Sequence, residues 1–519
     1  MAQRYVDVIQ VGKQALPFAG LLPDGYRYLW AAVDTGDIIP KQPLFKKDRW
    51  NPTFRDAVVL IDATCPWLAD VAKLTALPAN RIIVENSVQL SDTAQHILEL
   101  KGAHRMDFAD ADALANTIYG SFYSDQNTYK IDFSEFVVDP AYDGPVRQVG
   151  EAYREFSGDF GPDWVRIGSV NQVMWVGVNA GQDVVVENAT SGDLELMGKV
   201  QTFDGINSDL NDILTATGED LYDGVHVLQM YNPRGLQLHL YVRGRGTAQI
   251  GDIHWRRTRS GYGETLVGGE KVVDPVGMKQ EVQVYFDAGD LKPPLCVYFA
   301  GYQTAEKFEG FGMMRRMGTP FMLIMDPRLE GGSFYMGSQV FEDRLTAAIQ
   351  HRLDELGFTN DQLILSGISM GTFASLYYGA RLNPHGIIVG KPLVHLGTIA
   401  QNNRIKRPNE FGTSLDMLLL LQGGTSHADI KALNDRFWKQ FRQGHFANTT
   451  FAFAYMFDDD YDQDAFPSVQ ADLKNRYPTV RIWQKGFVGR HNDETAGVVN
   501  WFLGRYSHML AQDFGREAG

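Results

Sequence analysis

Residues 363–392 read LILSGISMGTFASLYYGARLNPHGIIVGKP, and this stretch restricts the fold more than any other in the chain. It opens with an apolar run of the length of a buried strand, and a helical pattern starts at Met370. Ser369 stands at the join, with Gly367 and Gly371 two residues to either side. A serine so placed fits a sharp strand-to-helix turn that pushes its hydroxyl out over the carboxyl edge of a sheet. Amides at the start of the helix would favour a negative charge developing beside it. The five-residue match alone is only suggestive; its strand–turn–helix setting marks Ser369 as a candidate nucleophile, with an ordinary turn residue as the competing reading.

The surroundings have the rhythm of a parallel sheet. LCVYFAGY (295–302), PFMLIMD (320–326), QLILSGIS (362–369), HGIIVGKP (385–392), TFAFAYM (450–456) and TVRIWQK (479–485) are short runs of strand formers. Helical stretches such as FEDRLTAAIQHRLDELG separate them, so an α/β domain with an α/β-hydrolase-like topology is expected over residues 281–519. A chain of 519 residues exceeds one ordinary core. Over 1–150, DAVVLIDAT and NRIIVENS alternate with helical segments and suggest a Rossmann-like α/β layer. No Gly-rich phosphate loop follows its first strand, where Ala63-Thr64-Cys65-Pro66 stands instead. Over 151–280, closely spaced strand-forming runs punctuated by Gly, Asn and Asp read as an antiparallel β-sandwich. Its Trp164, Trp175 and Trp255 could stack on sugars, but core filling is the expected role.

A serine hydroxyl needs a base and an orienting acid, which in this type of fold follow it in the order acid, then histidine. His491, in KGFVGRHNDETAGVVNWF, lies in a polar loop after the last strand and before a helix, where the base belongs. His427 and His445 precede the acid strand, and His508 falls late in the terminal helix. The strand TFAFAYM ends in FDDDYDQDAF, which offers Asp458, Asp459, Asp460, Asp462 and Asp464. Counting from the strand end favours Asp459, then Asp460, then Asp458. The backbone amides of Met370 and of Tyr302 or Gln303 are the expected oxyanion donors, with Gly301 allowing close approach.

A formal charge of −15 argues against broad nucleic-acid binding. Cys65 and Cys296 fall in strand contexts and read as small core residues, not a disulfide. The first twenty residues lack a secretory h-region, and no segment reaches the ~20 apolar residues of a membrane span, so a cytoplasmic location is expected. The sequon Asn188-Ala189-Thr190 reads as a turn. No bound cofactor and no metal site are expected.

Taken together, GDLKPPLCVYFAGYQTAEKFEGFGMMRRMGTPFMLIMDPRLEGGSFYMGS, the turn GISMG with its helix, FAYMFDDDYDQDAF and GFVGRHNDETAGVVNWF resemble the second accessory secretory proteins of the accessory Sec system. That system exports serine-rich-repeat adhesins in Gram-positive bacteria. The resemblance implies partnership with the first and third accessory secretory proteins and a dedicated SecA motor, with peripheral placement at the membrane through the translocase. It also implies O-acetyltransfer to N-acetylglucosamine on the adhesin through Ser369, Asp459 and His491, from an acetyl donor the sequence does not name. The alternative is a non-catalytic subunit that binds the glycosylated adhesin and presents it to the translocase.

Overall fold

A computed structural model describes residues 5–33, 38–39, 42–46, 48–126, 128–131, 135–176, 181–204, 210–227, 234–407 and 410–516. Its centre is an eight-stranded sheet ordered Gly269–Val273, Glu281–Asp287, Phe321–Met325, Leu295–Phe299, Leu363–Ile368, Gly386–Gly390, Thr450–Met456 and Arg481–Phe487. The first two strands pair antiparallel, the second is antiparallel to the third, and the rest are parallel. The middle strands are buried along their whole length, as continuous apolar runs require when helices cover both faces. One face packs on Gln339–Leu356 and Met370–Leu382; the other packs on Phe311–Met317 and Thr495–Phe514. In register, Phe299 sits beside Gly367, Gly367 beside Val389, and Val389 beside Phe453, so the carboxyl ends of four strands open on one edge. Between Gly390 and Thr450, helices Leu396–Lys406, Ser414–Gln422 and His427–Phe441 form an insertion beside that edge.

The N-terminal sheet is five-stranded and parallel, ordered Tyr26–Ala32, Val6–Gly12, Val58–Ile61, Ile82–Glu85 and His104–Met106. Val6–Gly12 is buried throughout although Asp7 and Gln10 interrupt its apolar run. Both are satisfied: Asp7 pairs with Arg27 at 2.7 Å, and Gln10 donates to Asp62 Oδ2 at 2.8 Å and accepts from Leu16 N at 3.0 Å.

Two six-stranded antiparallel sheets make the sandwich. They begin before residue 151: Thr128–Ile131 pairs with Arg245–Arg257, Phe136–Val138 with Val165–Val170, and Val146–Val149 with Tyr153–Asp159. At the other end, Gly269–Val273 joins the eight-stranded sheet through its hairpin with Glu281–Asp287. The sequon is no turn: Asn188 is buried within the strand Gln182–Gly192, at a register shift where its side chain donates to Val186 O at 2.8 Å. Of the tryptophans, Trp255 is core, Trp164 is half-buried beneath the Arg243 guanidinium, and Trp175 is 59% exposed. Within the strand-forming runs of 151–280, residues 177–180 and 228–233 lie outside the described residues. Cys65 and Cys296 are free and buried. No helix among the described residues is long and apolar enough to cross a membrane.

The sandwich and the eight-stranded domain meet through buried charges. His254 Nδ1 bonds Glu306, and its Nε2 lies 3.3 Å from Glu187; Arg256 bonds Glu281 at 2.6 Å and Glu306 at 3.3 Å. Gln280 donates to Glu187 and to the Tyr153 hydroxyl. Burial alone would depress His254, but the Glu306 charge and the bonds to Glu187 and Glu306 outweigh it and push the imidazole up to about 9. A raised folded value stabilises fully below the unfolded imidazole range and is lost as pH rises through the folded one. His254→Gln is therefore expected to cost about 3 kcal/mol or more near pH 6, with the gap to wild type narrowing between about pH 6.5 and 9. Urea denaturation across that range checks this; a gap that widens with pH would show that His254 is neutral in the fold.

Candidate active site

Ser369 adopts φ 55° and ψ −119° between the strand Leu363–Ile368 and the helix Met370–Leu382, a left-handed backbone that a serine adopts only under local constraint. The constraint is the approach of the helix to the strands beneath it. A Cβ on Gly371 would stand 2.0 Å from Phe299 O, and one on Gly367 would stand 2.4 Å from the Gly371 carbonyl carbon. Both positions must be glycine. The Ser369 N–H donates to Gly390 O at 2.8 Å, which ties the turn to the neighbouring strand. Thr372 Oγ1 donates to Ser369 O at 2.6 Å and accepts from Leu393 N at 3.0 Å.

The histidine and the acid converge on this serine. Ser369 Oγ lies 2.8 Å from His491 Nε2, and His491 Nδ1 lies 2.9 Å from Asp459 Oδ2 and 3.2 Å from Oδ1. His491 and Asp459 are 2% and 6% exposed, so the chain of bonds is shielded except at the partly exposed serine. Asp459 Oδ1 also accepts the N–H groups of Tyr461 and Asp462, at 2.9 and 3.1 Å. Burial pushes this carboxyl up, but the bond and charge of His491 and the two amides hold it below the usual carboxylate range.

The other aspartates have different positions. Asp458 is exposed, and Asp464 is exposed at the start of the helix Ala465–Arg476. Asp460 accepts the backbone N–H of His491 at 3.0 Å and pairs with Arg407, so it seats the histidine's main chain and not its ring. Asp462 takes the amides of Val394 and His395, at 2.7 and 2.8 Å, and bonds the His395 ring at 2.8 Å. His427, His445 and His508 are exposed.

Met370 is the first helical residue, and Tyr302 and Gln303 follow Gly301 in the loop after Leu295–Phe299. No acceptor among the described residues takes the N–H of Met370, Tyr302 or Gln303. Gly301 is committed elsewhere, its N–H donating to Glu309 at 2.8 Å. These N–H groups stand on the two segments from which oxyanion donors are expected, the turn after Ser369 and the loop after Leu295–Phe299.

Two contributors escaped the reading of the sequence. Lys391, buried at φ 58° just past its strand, donates to Asp493 O at 2.9 Å and to Thr495 Oγ1 at 3.0 Å, and so fastens the loop that carries His491. Burial lowers its pKa against the opposing charge of Asp459. The signal for it was an apolar strand ending on a lysine. Tyr461 packs its ring 4.4 Å from that of His491, lies beneath the Arg407 guanidinium and donates to Glu410 at 2.6 Å. No group of metal-ligating side chains occurs among the described residues.

The sequence profile of the family described as "Accessory Sec system GspB-transporter" matches residues 7–516. The chain is 36% identical over 452 residues to the second accessory Sec system protein of Staphylococcus aureus, covering 86% of this chain and 85% of that one. It is 37% identical over 417 residues to the counterpart in Streptococcus gordonii, covering 80% and 81%. A chain in the solved Glycosylation Associate Protein (Gap123) complex from Streptococcus agalactiae superposes with a TM-score of 0.85 at 34% identity, over 99% of this chain and all of that one. The chain therefore belongs to the accessory Sec system GspB-transporter family, among the second accessory Sec system proteins.

Proposed function

We propose that this protein is a serine-dependent O-acetyltransferase of the accessory Sec system, acting on N-acetylglucosamine of a serine-rich-repeat adhesin whose export it serves. One observation carries the catalytic part: the unbroken series Ser369 Oγ, His491 Nε2, His491 Nδ1 and Asp459 at 2.8 and 2.9 Å on a strained turn. The strand order around it supports an α/β-hydrolase-like reading, with Ser369 after the central strand Leu363–Ile368 and His491 after the last one.

In this reading Ser369 Oγ attacks the carbonyl carbon of the acetyl donor while His491 Nε2 takes the hydroxyl proton. Asp459 holds the imidazole with Nδ1–H towards itself and stabilises the imidazolium without becoming protonated. The amides of Met370 and of Tyr302 or Gln303 receive the negative charge on oxygen. Collapse breaks the bond to the leaving group, which departs with the proton from His491. A sugar hydroxyl then adds to the acetyl-serine, giving its proton to His491, and the acetylated sugar leaves as Ser369 recovers that proton. Water in place of the sugar gives hydrolysis. No step draws on a cofactor or a metal.

The export role rests on family membership, and the likeness to a chain of the Gap123 complex supports the first and third accessory proteins as partners. The accessory SecA motor and the adhesin complete the proposed set, with the protein at the cytoplasmic face of the membrane. The alternative, a subunit that only binds and presents the adhesin, predicts export without chemistry at Ser369.

Turnover of a small activated acetyl ester separates these readings. Ser369→Ala and His491→Ala are each expected to lower kcat by about a thousandfold or more to a common floor, since the members of such a set act as a unit. Asp459→Asn is expected to cost up to about four orders of magnitude, whereas Asp458→Asn stays near wild type. Wild-type rates in all of these variants would leave the binding role alone.

In cells, mass spectrometry of the exported adhesin should show acetyl mass on its glycan with the wild-type protein and none with Ser369→Ala. Full acetylation in the Ser369→Ala strain would assign that modification to another enzyme.

A further inference from the structure

The loop 300–310, which carries Tyr302 and Gln303, is tied at its start to the C-terminal domain: Ala300 N donates to Ile324 O, Gly301 N donates to Glu309, and the Tyr302 ring packs 5.3 Å from that of Phe411. Its own backbone supplies little: Lys307 N donates to Ala305 O, and the Gln303 side chain donates to Lys307 O. The middle of the loop, around Glu306, is held by the sandwich and the segment leading into it. Glu306, 3% exposed, points its carboxylate at His254 and Arg256, both on the strand Arg245–Arg257. Its carbonyl accepts from Thr128 Oγ1, and Phe308 N donates to Gln126 Oε1 at 2.6 Å. A second tie reaches the loop after Phe321–Met325, where Lys130 Nζ donates to Pro327 O at 3.1 Å.

A buried ionic cluster is a poor source of stability compared with an apolar contact of the same size, because each charge loses its hydration. What it supplies is register. An apolar contact tolerates sliding, whereas a carboxylate held between an imidazole and a guanidinium has one low-energy position. An oxyanion hole needs such placement, since donors misplaced by about 1 Å can cost about a hundredfold in rate. We infer that the β-sandwich is a working part of the acyl-transfer site: His254 and Arg256 are positioning residues that, through Glu306, set where the Tyr302 and Gln303 amides stand relative to Ser369. The inference rests on the acyl-transfer reading. It gives the sandwich a role in turning over even a small ester that touches none of its residues.

The test uses the full-length protein with Glu306→Gln, Glu306→Ala and His254→Gln, each assayed well below its own Tm, with Ser369→Ala alongside. Hydrolysis of a small acetyl ester is expected to lose about ten- to a hundredfold in kcat with KM within about twofold, and Glu306→Gln to retain more than Glu306→Ala. Labelling of Ser369 by a fluorophosphonate, which builds a tetrahedral oxyanion at the same place, is expected to slow in parallel. Thr128→Val, which removes a single hydroxyl, is expected to show the same pattern at smaller size, and it serves where a charge variant does not fold. A lower Tm with unchanged kcat and labelling rate would overturn the inference and leave the cluster structural. A rise in KM alone would overturn it too. Wild-type turnover by Ser369→Ala removes the acyl-transfer reading and this inference together, whereas an inactive Ser369→Ala beside Glu306 variants of wild-type kcat overturns this inference only.

Discussion

The close approach of the helix Met370–Leu382 to the carboxyl end of the central strands is the constraint on which the site depends. Gly371 lies against Phe299 O, and Gly367 lies against Gly371, at distances no side chain would permit. This approach turns the chain through a left-handed residue at Ser369 and lifts its hydroxyl above the sheet. The same contact sets the first helical amide, that of Met370, next to Ser369, so one packing event places both groups. The apolar cores on both faces hold this arrangement, and backbone strain of the order of 1–3 kcal/mol at one residue is small against them.

The second requirement is convergence of loops that belong to different strands. His491 reaches the serine because Asp459 orients its ring, Asp460 takes its main-chain N–H, and Lys391 fastens the residues that follow it. Asp459 and Asp460 follow the strand Thr450–Met456 and Lys391 follows Gly386–Gly390, and parallel register brings those two strand ends to one edge. The insertion 391–449 adds Arg407 and Glu410, which meet Asp460 and Tyr461 beside the histidine. A protein built this way combines a rigid sheet with a site made of loops, and the buried charges between the sandwich and the eight-stranded sheet extend that bracing to the loop that carries Tyr302 and Gln303.

Much of this was legible in residue order. The six proposed strands of the C-terminal zone appear because apolar runs between helical stretches have no other stable place, and the glycines around Ser369 have a direct steric cause. Asp459 over Asp460 and Asp458 was a matter of counting along the turn, since three adjacent carboxylates are alike as sequence; burial and the direction of Nδ1 distinguish them. Val6–Gly12 was missed because Asp7 and Gln10 break its pattern, and only long-range partners such as Arg27 and Asp62 allow them inside. The strands between 128 and 149 were missed because each is only three or four residues long. Trp175, expected in the core, is exposed on its strand, since alternation along a short segment does not reveal which face is covered. The link from Glu306 to His254 joins residues 52 apart and has no local signature.

The central claim is that Ser369 carries the acetyl group between donor and acceptor. Rapid quenching of the protein with an activated acetyl ester, followed by peptide mass spectrometry, tests it directly. The account predicts one acetyl group on the peptide containing Ser369, discharged on adding an N-acetylglucosamine glycopeptide and absent from Ser369→Ala. Acetylation of that glycopeptide at the wild-type rate by Ser369→Ala, with no acetyl-serine detected in the wild-type protein, would contradict it.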